Sequence, residues 1–114
     1  MGDRANIIVD SGRTGRVCLY THWNGTELPN VLRAALKRGK GRWSDAQYLA
    51  RIIFCEMVKD DVLGLTGFGI SQGLWDGRDK VITVYVTEQK IRINDRPPVS
   101  FEDFINLPDD SITW

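Results

Sequence analysis

The chain has 114 residues, and an apolar fraction of 42% beside a charged fraction of 26% describes one globular domain, not a disordered chain. Fifteen Lys plus Arg balance fifteen Asp plus Glu, which excludes a general nucleic-acid coat and leaves no long-range self-repulsion to oppose a homo-oligomer. Two cysteines without a CxxC pair, and a single histidine, exclude the common zinc spacings, so no metal site and no cofactor is expected.

The first elements are short strands. Asn6 to Asp10 ("NIIVD") and Arg16 to Trp23 ("RVCLYTHW") are runs of strand formers separated by the turn Ser11-Gly12-Arg13-Thr14-Gly15, and together they predict an antiparallel hairpin. Alternation puts Val17, Leu19, Thr21 and Trp23 on one face and Cys18, Tyr20 and His22 on the other. Neither set is clearly polar, so the sheet should be covered by helices on one side and partly covered on the other.

Asn24-Gly25 then turns the chain. Leu28, Val31, Leu32, Ala35 and Leu36 follow helical spacing, with Pro29 in the first turn and Gly39 and Gly41 as the stop. A second helix begins where Ser44 and Gln47 form a capping box and Trp43 with Tyr48 is placed as a hydrophobic staple. Its stripe from Ala46 to Val58, widened by Ile52 and Cys55, predicts the most buried element, ending near Asp60. Cys18 and Cys55 are expected as buried thiols in a reducing cytoplasm.

Residues 62–79 carry five glycines and read as loop with one short strand around Phe68 to Ser71. Within this segment, the glycine-rich stretch 64–77 holds Phe68 and Trp75 and is long enough to act as a mobile lid. Lys80 to Thr87 and Lys90 to Asn94 form a second hairpin, with Ile82, Val84 and Val86 facing the core and Val81, Thr83 and Tyr85 facing outward, where self-association would cover them. Pro97-Pro98 breaks the sheet, Ser100 caps a short helix and Pro108 ends it. The tail from Asp109 ends on an apolar pair, Ile112 and Trp114, placed to grip a partner, so its loss should leave folding nearly intact. The order β-β-α-α-β-β-β-α predicts an α+β two-layer sandwich with a mainly antiparallel sheet over residues 1–114.

No catalytic motif stands out. A Cys18–His22 dyad fails because four strand residues span about 13 Å at roughly 3.3 Å each, beyond hydrogen-bond reach. A hydrolase built on His22 with a distant carboxylate is an alternative, set behind a non-enzymatic role. The better candidates are anion sites. The Asn24-Gly25-Thr26 junction opens a helix with unpaired N–H groups beside His22 and Trp23, and the 11–16 turn combines two glycines, two hydroxyls and the forks of Arg13 and Arg16. The expected ligand-binding set is therefore His22, Trp23, Asn24, Gly25, Thr26, Arg13, Arg16 and Phe68, for a small anionic, nucleotide-like molecule. A basic patch of Arg33, Lys37, Arg38, Lys40 and Arg42 is a further contact point.

The runs "LYTHWNGTELPNVLRAAL", "RWSDAQYLARIIFCEM" and "TGFGIS" resemble a group of small bacteriophage, prophage and actinobacterial proteins over about residues 16 to 90. They share a strand ending in Tyr-Thr-His-Trp, two helices and a Gly-Phe-Gly-Ile segment. The group brings no assigned activity. What the resemblance implies is a phage setting, in which small proteins counter host defence by sequestering a nucleotide signal or by blocking a host protein. The expected location is then the host cytoplasm, since residues 1–10 carry no secretory signal and no apolar run spans a membrane.

Overall fold

A computed structural model describes residues 2–74, 76–108 and 112–114. Six strands and three helices form an α+β fold: β1 (Ala5–Asp10), β2 (Arg16–Thr21), α1 (Leu28–Arg38), α2 (Ala46–Val58), β3 (Phe68–Ser71), β4 (Val81–Tyr85), β5 (Lys90–Ile93), β6 (Val99–Ser100) and α3 (Phe101–Ile105). The sheet order is β3-β2-β1-β4-β5-β6. Every pairing is antiparallel except that of β1 with β4. The sequence pattern anticipates this order of elements, apart from β6, two residues too few to leave any periodicity, but not the order of the strands in the sheet or the parallel pairing of β1 with β4.

β1 explains its own position. Ala5 to Val9 are all buried, as suits a strand paired on both edges and covered on both faces. Ala5, Ile7 and Val9 join Leu19, Ile82, Val84 and Ile91 beneath the helices. On the outer face Asn6, Ile8 and Cys18 are also buried. There the chain after β3 returns across the sheet, and the Asn6 side-chain amide donates to the carbonyls of Asp76 (2.6 Å) and Gly77 (3.3 Å).

The helix layer departs from expectation in three places. Asp45, not Ser44, caps α2, its carboxylate accepting from the Tyr48 amide. Trp43 does not staple to Tyr48; it is buried edge-on against Phe101 (5.3 Å between centroids) and donates Nε1–H to the Leu36 carbonyl at 2.9 Å. Tyr48 is exposed under the Arg42 guanidinium. α2 buries only Leu49, Ile53 and Met57, so β1 and not α2 is the most buried element, and Cys55 is exposed. A helix in a two-layer fold meets the core along one stripe, and apolar residues beyond that stripe stay at the surface. Ser100 does cap α3, accepting from the Asp103 amide.

The chain end is also corrected. Ile112 is part of the core, and the Trp114 indole donates to the Gly25 carbonyl at 2.8 Å. This apolar pair is used internally, so it is not a projecting grip. Asp109 and Trp75, named from the sequence, lie outside the described residues. Removal of residues 112–114 should therefore lower unfolding free energy by roughly 2–4 kcal/mol, from lost burial of Ile112 and a lost hydrogen bond. Urea titration of the truncated chain measures it, and an unchanged midpoint would contradict the packing described.

Candidate functional site

The end of β2 is the best-defined polar cluster. Asp3, just before β1, binds both ends of the 22–26 turn. Its amide donates to the His22 carbonyl (2.7 Å), its carbonyl accepts from the Gly25 amide (2.8 Å), and its carboxylate accepts from the Thr26 amide (2.8 Å) and from Lys80 Nζ (3.0 Å). Gly25 is required here because a Cβ would lie 2.6 Å from the Asp3 carbonyl oxygen. Hydrogen bonds from Thr26, then from Lys80, hold the Asp3 carboxyl down to about 2.

This arrangement alters the anion reading. The Gly25 and Thr26 amides, expected to be open to a ligand, already serve Asp3. The protein's own carboxylate occupies the position an external anion would take. The Asn24 amide is engaged too, by Thr21 Oγ1 at 3.2 Å.

His22 is half-buried. Its Nδ1 lies 2.9 Å from the Tyr20 hydroxyl and 3.3 Å from Arg4 Nε. A guanidinium only donates, so Nδ1 is the acceptor and the neutral ring carries its proton on Nε2. The Trp23 ring meets His22 edge-on (5.2 Å) and covers Gly67, where any Cβ would clash with the indole and φ is +96°. Because the His22 amide donates to the Gly67 carbonyl and Thr21 pairs with Phe68, the structure does bring Phe68 to His22 and Trp23.

Arg13 and Arg16 are not brought there. They stand at the opposite end of β2, six residues or roughly 20 Å away. Their turn is closed on itself: the Asp10 carboxylate takes the Gly12 amide (2.8 Å), and the Ser11 hydroxyl bonds Thr14 Oγ1 (2.6 Å) and the Gly15 carbonyl (2.7 Å). The basic patch is likewise engaged in part. Arg38 pairs with Glu56 at 3.1 Å, Lys40 pairs with Glu102 at 3.2 Å, and Arg42 stacks on Tyr48. Glu56 is held below the usual carboxylate range by its hydrogen bond from Lys59, with Arg38 assisting against partial burial. Burial pushes the Cys18 thiol up, away from the thiolate a nucleophile needs. Among the described residues no group of three His, Cys, Asp or Glu could hold a metal ion, and no helix is long and apolar enough to cross a membrane.

A different surface stands out. Leu65 is 98% exposed, Leu63 91%, Val62 67%, Ile70 61% and Trp23 51%. Four of these lie on the α2–β3 connection or on β3 itself, and the fifth lies over Gly67 between them. The sequence reading missed Leu63 and Leu65, since apolar residues in a loop carry no sign of whether they fold inward. Asp3 and Arg4 were missed for another reason. Only the hairpin register, Ala5 opposite Thr21, sets Asp3 across from Trp23.

No protein family, curated protein or solved structure matches this chain.

The Asp3 clasp gives a test with a defined sign. A carboxyl lowered in the folded state stabilises above its unfolded pKa, and that stabilisation is lost as pH falls through the folded value. The contribution should therefore be full above about pH 4 and fade between the model-peptide value of 3.8 and about 2. Asp3→Asn should melt lower than wild type at pH 6, with the gap narrowing towards pH 2. His22→Ala, which removes one partly exposed acceptor, should cost about 1 kcal/mol. A constant gap across this range would remove Asp3 from the clasp.

Proposed function

We propose that this chain is a non-enzymatic polypeptide-binding module whose contact surface is the open edge of β3 together with the α2–β3 connection and Trp23. One observation carries the reading: aliphatic side chains that a monomer would bury are instead displayed together beside an edge strand. Exposed apolar patches next to unpaired strand edges mark interaction sites in soluble proteins. Of the three surfaces that sequence favoured for a partner, the tail and the basic patch spend at least part of their side chains on internal contacts, and the outer face of the Lys80–Asn94 hairpin is the third. By the resemblance to phage proteins, a host protein is the first partner to seek.

A second reading retains the small anionic ligand but moves it. An open cleft of about 530 Å³ lies where Ser11 and Thr14 face Ser44, Asp45 and Gln47 at the start of α2, with Thr87 and Gln89 on its rim, and Arg16 and Gln47 line the adjoining pocket. The Gln47 side-chain amide and the Arg16 guanidinium are the groups that would orient a phosphorylated molecule there, since the Ser11, Thr14 and Ser44 hydroxyls have internal partners. A nucleotide that raises the melting midpoint, and does so less in Gln47→Ala, would favour this reading.

The two readings separate on one pair of substitutions. Leu63→Glu with Leu65→Glu should change stability by less than about 0.5 kcal/mol, since both side chains are at the surface. It should abolish polypeptide capture by the immobilised protein and leave any nucleotide-induced shift unchanged. Capture equal to wild type would sink the polypeptide reading.

A further inference from the structure

We infer that the polypeptide taken by the β3 edge is a second copy of this chain, the two β3 strands pairing antiparallel about a two-fold axis at Gly69. The inference rests on the polypeptide-binding reading above and narrows it to one occupant.

The backbone supplies the first argument. In an antiparallel ladder, hydrogen-bonded pairs alternate with non-bonded ones. The His22 amide bonds the Gly67 carbonyl, so the pairs Tyr20/Gly69 and Cys18/Ser71 carry the inner ladder. Phe68 and Ile70 therefore turn their N–H and C=O groups to the open side. An identical strand running the other way, centred on Gly69, sets Phe68 opposite Ile70 of the second copy and Ile70 opposite its Phe68. All four donors and acceptors at each edge are then matched. Both cross-strand pairs are aromatic against β-branched, a favourable combination.

Area supplies the second argument. At roughly 100 Å² for each displayed aliphatic side chain and a similar area for the half-exposed indole, Trp23, Val62, Leu63, Leu65 and Ile70 offer on the order of 500 Å² of apolar surface. A standard interface buries ~800 Å² per partner, a little over half of it apolar. The patch has the size a stable dimer needs. Charge does not oppose it, because the formal net charge is zero and the segment Phe68–Ser71 carries none. β3 also lacks the lysine or proline that blunts natural edges.

Light scattering on the purified full chain at micromolar concentration should give twice the 12.9 kDa of one copy. Ile70→Lys puts a charge beside the axis at a position already exposed, so it should fold and halve the mass. Gly69→Cys in a Cys55→Ser background should cross-link to itself on mild oxidation, since facing non-bonded residues sit ~4.5 Å apart between Cα atoms, within disulfide range. A monomeric wild type, a dimer indifferent to Ile70→Lys, or no cross-link would each overturn the inference. A monomer that still captures a foreign polypeptide through Leu63 and Leu65 leaves the broader reading standing. One that captures none overturns both.

Discussion

All six residues of β1 pair antiparallel with β2, the five from Asn6 to Asp10 also pair in parallel with β4, and the five from Ala5 to Val9 are buried. Burying backbone polar groups is costly unless each finds a partner, and a central strand satisfies them all. The parallel step to β4 also forces the chain to leave the sheet, build α1 and α2 over its inner face, add β3 at the far edge and return. Two covered faces, the order of the strands and the edge position of β3 all follow from that placement.

The same strand fixes the polar cluster. Asp3 is carried into position by the register of β1 with β2, and its carboxylate then serves the turn that opens α1. A helix start and a nearby acidic side chain attract each other for the reason that any anion would be drawn there. Here the attraction is satisfied within the molecule. His22, Tyr20 and Arg4 extend this internal network, so the single histidine is best understood as one of its acceptors.

The two sheet edges are unlike. β6 is two residues long, preceded by Pro97-Pro98 and followed at once by α3, a combination that leaves little strand to extend. β3 has no such guard and runs out of a connection whose leucines face solvent. Leaving that much apolar surface in water is unfavourable by the area rule that drives folding. A covering partner removes the penalty, which is why function is placed at this edge and not at the histidine.

Local pattern determined most of the secondary structure. The runs of strand formers at β1, β2, β4 and β5, the 3.6-residue stripes of α1 and α2, the Ser100 cap and the stops at Gly39 and Pro108 are properties of neighbouring residues, and they were legible without coordinates. So was the α+β class, since it follows from element order. What tertiary structure decided depends on residues far apart in sequence: the parallel β1–β4 pairing, the choice of Asp45 over Ser44 as cap, the burial of Trp43 against Phe101, the return of Trp114 to Gly25, and Asp3 on the turn amides. The candidate site divides along the same line. Sequence marked Trp23 beside a turn and Phe68 in a glycine-rich stretch, but it grouped them with Arg13 and Arg16, which the length of one strand holds apart. It gave no sign that Leu63 and Leu65 face outward, because hydrophobicity measures what a side chain gains by burial and only the packed fold determines whether there is room.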